Sequence, residues 1–218
     1  VNVYHEFQRK FTEIGPFIEI SPFLNVGRKE DEEGRLLYQQ YIPGVFMSAA
    51  KNTNIGIEIR QNVKVRFRNA GDALKRDQFF MFVESAPGTW LSRYFFETAI
   101  GDRADIGANK MRRGYYIGGN ATIRLSDRFE REPRIDESIM GTQILATGPE
   151  RALHERAVQL TAVYHFTARD NLRLIGQYNS VKRGSPHYDE PVSAREKTET
   201  LSLVYGHLRG LGTNLYVG

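Results

Sequence analysis

The stretch IGIEIRQNVKVRF (residues 55–67) carries the clearest alternation of apolar and polar side chains in the chain. Its odd positions are apolar except for Gln61, and its even positions carry the charged residues Glu58, Arg60, Lys64 and Arg66. Successive side chains of a strand point to opposite faces, so this pattern predicts a strand with one apolar and one charged face. At about thirteen residues it is long, because strands usually have about five or six.

Similar alternation recurs along the chain, in residues 90–100, 115–125 and 158–166, and more weakly in residues 18–26, 172–178 and 201–205. Short turn signals separate these stretches at a spacing of roughly 36 to 42 residues. They lie at residues 15–16, 51–54, 87–88, 126–128, 168–171 and 210–214. Longer polar connections fall between them, at residues 27–35, 69–76, 101–112, 136–154 and 183–197. This repeated unit predicts about twelve antiparallel strands.

The composition excludes several classes of protein. The chain has 218 residues, 40% of them hydrophobic and 26% charged, which is typical of a folded domain. It has no cysteine, which excludes disulfides, cysteine-ligated zinc and a thiol nucleophile. Its 30 basic and 26 acidic residues indicate a mixed surface rather than a nucleic-acid patch. No signal peptide precedes the first strand and Val1 is not an initiator methionine, so we expect a mature form or part of a longer protein.

Long loops at one end and tight turns at the other are typical of a bacterial outer-membrane β-barrel. A strand tilted by about 45° needs roughly 9 to 11 residues to cross the hydrocarbon layer, and these strands are long enough. The charges on one face are too many for a dry core. We therefore predict an all-β fold, an antiparallel transmembrane β-barrel that residues 1–218 form wholly or in large part as one domain. A large soluble β-sandwich with solvated charged faces is the alternative left open.

This prediction assigns a face to each alternating side chain. The residues predicted to line the lumen are Glu58, Arg60, Lys64, Arg66, Arg93, Glu97, Arg124, Arg173 and Gln177. The residues predicted to face lipid are Ile57, Ile59, Val63, Val65, Trp90, Tyr94, Phe96, Tyr164 and Phe166. The aromatic residues near strand ends would form girdles at the membrane interfaces.

The segment AVQLTAVYHFTARDNLRLIGQYN (residues 157–179) resembles the penultimate hairpin of a bacterial outer-membrane β-barrel family of unknown function. Residues 201–218 are similar to the closing strands of that family. In the family the barrel often follows a domain that resembles a family-nine carbohydrate-binding module. The resemblance implies that this chain is the C-terminal part of a longer protein, and it carries no catalytic residue to transfer.

The charged face predicts a channel or transport-related pore in the bacterial outer membrane. The alternative is a non-conducting barrel that anchors or scaffolds a partner or a periplasmic domain. A membrane-embedded hydrolase would need a nucleophile, and no nucleophile motif surrounds Ser185 near His187. We therefore expect no enzymatic activity, no cofactor and no metal site. The expected partners are outer-membrane lipid and lipopolysaccharide, and a protein partner or an additional barrel segment is left open.

Overall fold

The computed structural model describes residues 2–66, 73–210 and 213–217, which form one antiparallel β-sheet. The strands are β1 (Asn2–Gln8), β2 (Phe11–Ile14), β3 (Phe17–Glu30), β4 (Leu36–Ala49), β5 (Thr53–Val65), β6 (Leu74–Ser85), β7 (Leu91–Asp105), β8 (Lys110–Ser126), β9 (Phe129–Gly141), β10 (Arg151–His165), β11 (Asp170–Arg183), β12 (Arg195–Gly210) and β13 (Thr213–Val217). Helical backbone in the described residues is limited to two 3-10 turns, Gly148–Glu150 and Ser185–His187. No helix of the described chain is long and apolar enough to cross a membrane.

From β3 onward each strand pairs with the next one along the chain. β1 and β2 both pair with β3, and the Arg9 N–H between them donates to the Pro22 carbonyl at 3.1 Å, so they act as one interrupted strand. The predicted number of about twelve antiparallel strands is therefore confirmed. In the described part of the chain no ladder joins β1 to β13. The sheet is open, and its closure into a barrel stays a prediction.

Short turns join the strands at one end of the sheet, and longer connections join them at the other. The short turns include residues 50–52, 127–128 and 166–169, while the longest connections are residues 142–150 and 184–194. The predicted long loop 101–112 is mostly strand, because β7 and β8 are separated only by residues 106–109. The predicted loop 27–35 is strand as far as Glu30. These strand ends are rich in charged residues, which made them look like loops in the sequence.

One extra residue in the middle of β5 reverses the alternation of its side chains. Arg60 lies opposite Gln78 and Val63 lies opposite Arg76, so three steps on β5 match two steps on β6. Asn62 takes a positive φ of 55° at this point, and its N–H donates to the Asp77 carboxylate at 2.7 Å. This is a β-bulge, which turns the following side chains to the other face.

The bulge overturns four of the predicted facings. Val63 and Val65 lie on the face that carries Glu58 and Arg60, because they pair with Arg76 and Leu74 of β6. Their predicted common face with Ile57 and Ile59 is therefore wrong. Lys64 pairs with Lys75 and lies on the face of Ile59 instead. Arg66 follows the end of β5, where its Nε donates to the Leu36 carbonyl at 2.9 Å, so it does not extend the predicted charge row.

Candidate functional site: the polar face of the sheet

The sheet has two chemically different faces, which the strand register defines. Along one row Glu58 lies opposite Phe80, Phe80 opposite Ala99, Ala99 opposite Tyr116, and Tyr116 opposite Ser138. We call the face that carries this row the polar face, and the other one the apolar face.

Seven of the nine residues predicted to line a lumen share the polar face. They are Glu58, Arg60, Arg93, Glu97, Arg124, Arg173 and Gln177. Several are already engaged with neighbours on that face: Arg124 Nε donates to Glu130 at 3.0 Å, and Gln177 Nε2 donates to Gln159 at 2.8 Å. The sequence thus found a genuine common face, and its role as the wall of a lumen stays a prediction.

The apolar face carries most of the residues predicted to face lipid. Those within its strands are Ile57, Ile59, Tyr94, Phe96 and Tyr164. Phe166 follows directly after β10, and its ring lies 5.1 Å from the ring of Tyr164. Trp90 precedes β7 in a turn and is 67% exposed.

Burial on the two faces is the reverse of that in a water-soluble sheet. In the middle of the polar face, Gln78 is 7% and Ser138 is 6% exposed, whereas on the apolar face Ile59 is 46% and Leu201 is 75% exposed. A water-soluble antiparallel sheet packs its apolar face on a core and solvates the polar one. A contiguous apolar surface of this extent indicates contact with a membrane or with another protein.

Ion pairs border the apolar face near the longer connections. They join Lys75 to Asp77 at 2.7 Å, Arg113 to Asp102 at 3.7 Å, and Arg156 to Glu137 at 2.8 Å. The basic member of each pair is about half exposed, so each pair adds little stability by itself. They mark the limit of the apolar band on these strands.

On the polar face, three arginines from neighbouring strands line one cavity of about 290 Å³, which we call the arginine cavity: Arg60 of β5, Arg76 of β6 and Arg103 of β7. Arg60 is held in place from three sides. Its guanidinium lies 2.6 Å from a Glu58 oxygen, donates to Gln78 at 3.1 Å, and lies 4.3 Å from the centre of the Phe80 ring.

Arg76 and Arg103 are far less satisfied than Arg60. Arg103 donates one bond, to the Ser138 hydroxyl at 3.4 Å, and its guanidinium lies 5.1 Å from the Tyr116 ring centre. The Nε atoms of both arginines are buried and have no hydrogen-bond partner among the described residues. Neither arginine forms an ion pair within that part of the chain. Buried donors without partners are rare in folded proteins, because each one costs free energy.

Two further clusters cover the polar face beside this cavity. The Tyr116 hydroxyl lies 3.0 Å from Glu97 and 2.8 Å from Asp136, and Asp136 in turn pairs with Arg134 at 2.8 Å. Four phenylalanines form the second cluster: the ring centres of Phe46, Phe80 and Phe95 each lie 6.3 to 6.5 Å from that of Phe82. The Phe82 ring lies over Gly56, where a Cβ would collide with it. The register of β4, β5, β6 and β7 brings these four aromatic residues together on the polar face.

A buried ion pair ties the connection 184–194 to the end of the sheet. Arg112 Nε donates to Asp105 at 2.7 Å, with 10% and 2% of the two side chains exposed. The same guanidinium donates to the His187 carbonyl at 2.6 Å and lies 5.4 Å from the Tyr188 ring centre. Burial and the nearby Asp105 carboxylate raise the pKa of Tyr188 to about 12. This arrangement fixes the loop against the sheet.

Ser185 and His187, the residues considered for a hydrolase, lie in the connection 184–194, where His187 makes a structural contact. A ring nitrogen of His187 lies 2.7 Å from the Pro149 carbonyl, which links the two longest connections. Within the described residues, the side chains of Ser185 and His187 form no hydrogen bond with each other. The Asp189 carboxylate forms an ion pair with Lys110 at 2.9 Å. Nor do the described residues hold a group of three or more histidine, aspartate or glutamate side chains that could bind a metal.

Sequence reasoning missed Arg76 and Arg103, because both fall in stretches that were predicted as loops. A signal was present for Arg103, which continues the alternation of Arg93 and Glu97 at even spacing beyond the strand predicted at residues 90–100. A charged residue at even spacing beyond the end of a predicted strand therefore indicates that the strand continues to it.

Comparisons with protein-family models, curated proteins and solved structures find no match to this chain. The resemblance of residues 157–179 and 201–218 to an outer-membrane barrel family therefore stays a prediction.

Proposed function

We propose that the chain forms, wholly or in large part, a transmembrane β-barrel of a bacterial outer membrane, and that this barrel is a channel or transport-related pore. The observation that carries the proposal is the inverted burial of the sheet, with its apolar face exposed and its polar face crowded. Lipid covers such an apolar face without any further protein, and closure of the sheet satisfies the backbone groups of its edges.

The strand lengths agree with this proposal. β6 has 12 residues and β8 has 17. At about 3.3 Å per residue and a tilt of about 45°, twelve residues rise by roughly 28 Å, and the apolar band of outer-membrane barrels is about 25 Å tall. The charged pairs near the longer connections then lie at the lipid headgroups, where lipopolysaccharide phosphates are natural partners for the arginines.

A non-conducting anchor or scaffold is the second candidate function. Two clusters of side chains favour the scaffold: the four phenylalanines, and Tyr116 with Glu97 and Asp136. Both clusters fill space on the face that would line a pore. An ion pathway would have to pass beside these side chains. The same barrel fold thus supports either role.

Conductance in planar lipid bilayers separates the two functions. A pore gives stable single-channel steps with a preference for anions, and Arg60→Gln reduces that preference because it removes a positive charge from the polar face. Arg131→Gln is the matched control, since Arg131 lies opposite Ile123 on the apolar face, and it leaves the preference unchanged. Silence from a protein that folds in detergent and inserts into bilayers supports the scaffold and contradicts the pore.

A further inference from the structure

We propose that the arginine cavity binds a small dianionic oxyanion of the phosphate class, carried by a free solute. The inference rests on the proposed function only in requiring that water reaches the polar face, and it does not require conduction. The site is built by three arginines from adjacent strands that share one cavity.

The charge of the cavity matches such a ligand. Arg60, Arg76 and Arg103 bring three positive charges, and Glu58 neutralises one of them through its contact with Arg60. Asp102 also lines the cavity, but its carboxylate accepts the Asp77 N–H at 2.8 Å and lies 3.7 Å from Arg113. Glu97 and Glu155 act on Arg103 from outside the lining, so the side chains of the cavity itself retain about two positive charges, which an anion of charge −2 balances.

The hydrogen-bonding state points to an acceptor that enters from outside the chain. The Nε donors of Arg76 and Arg103 are buried and unpartnered among the described residues. The other N–H groups of these two guanidiniums also lack partners within that part of the chain, apart from the bond of Arg103 to Ser138, and an oxyanion supplies several acceptor oxygens at once. The three guanidiniums also repel one another, and an anion between them reduces this repulsion.

The chemistry of the side chains favours an oxyanion over a simple halide. A guanidinium presents its N–H groups as a planar fork that fits two oxygens of one phosphate. The rings of Phe80 and Tyr116 lie 4.3 and 5.1 Å from two of the guanidiniums and hold them by cation–π contact. A volume of about 290 Å³ leaves room for a small organic group attached to the phosphate.

Equilibrium binding of inorganic phosphate tests the proposal on the folded chain in lipid-free detergent micelles. Titration calorimetry at constant ionic strength should show one saturable site. Arg103→Gln and Arg76→Gln should each weaken phosphate binding by at least tenfold. Arg131→Gln is the control with the same chemical change on the other face, because Arg131 lies opposite Ile123 and does not line the cavity, and it should alter binding by less than twofold. Chloride at equal ionic strength should not compete.

Three results would overturn the proposal: no saturable binding to the folded chain, an equal loss in Arg131→Gln, or full competition by chloride. If Arg103→Gln does not fold, Arg76→Gln and the charge-retaining Arg76→Lys decide the matter, with Arg76→Lys weakened because the fork is lost. Phosphate binding without conductance would leave this site in place and refute the pore. Conductance without phosphate binding would refute the site and leave the pore in place.

Discussion

Replacing Ile59 by arginine distinguishes a lipid-covered apolar face from a water-covered one. Ile59 lies in the middle of β5, opposite Phe79, and is 46% exposed in the isolated chain. If water covered this face, a half-exposed surface substitution would change the free energy of unfolding by no more than about 0.5 kcal/mol. If lipid covers it, arginine near the bilayer midplane costs about 2–4 kcal/mol. That is roughly 30-fold to 700-fold in the unfolding equilibrium constant.

The free energy of unfolding can be measured by urea titration in phospholipid vesicles, followed by the fluorescence of the single tryptophan, Trp90. Ile106→Arg is the matched control, because Ile106 is 80% exposed in the turn 106–109, outside the strands. We expect Ile59→Arg to lose at least 2 kcal/mol more than Ile106→Arg. Equal effects of the two substitutions would refute the lipid-facing assignment of β5.

Three further predictions concern the packing of the sheet and of its longer connections. Asp105→Asn should lower the free energy of unfolding in urea by about 3 kcal/mol, because it leaves a buried arginine without its partner, whereas Glu130→Gln in an exposed pair should cost under about 1 kcal/mol. Gly114→Ala should prevent the heat-modifiable folded form on gels, since a Cβ there meets the backbone of β9, and Gly88→Ala, with open space around it, should not. The folded chain holds the Tyr188 proton more tightly than the unfolded chain, so its stabilising contribution should be lost as pH rises from 10.0 to about 12. Ultraviolet difference titration against Tyr188→Phe should show one phenol ionising near pH 12, and ionisation near 10 would contradict the buried loop contact.

The strands and their two faces were predictable, because alternation depends only on neighbouring residues. The bulge in β5 was not, since Gln61 is a single exception to the alternation of residues 55–67 and one exception does not require an extra residue there. It forms where the Asn62 N–H reaches Asp77 of the next strand, a contact between residues fifteen positions apart. A positive φ is tolerated by asparagine more easily than by most residues, which makes this position suitable once the register is set.

The arginine cavity could not be predicted for a related reason. Arg60, Arg76 and Arg103 are separated by long stretches of chain, and only the register of three strands brings them to one place. Their charges also hid the strand ends, because polar stretches next to turn residues are typical of loops. Site residues that lie at strand ends are thus the part of a β-sheet protein where alternation gives least help.

Fluorescence quenching from the lipid and from the aqueous phase most directly tests whether the apolar face of the sheet contacts lipid and the polar face contacts water. The chain has no cysteine, so single-cysteine variants can each carry one fluorescent label without a change of background. We would label Ile59→Cys and Leu160→Cys on the apolar face, and Glu58→Cys and Gln159→Cys on the polar face, in vesicles. We expect a lipid-bound quencher to reduce the fluorescence of the first two labels and aqueous iodide to reduce that of the last two. Quenching of all four by iodide alone would contradict a membrane-spanning sheet.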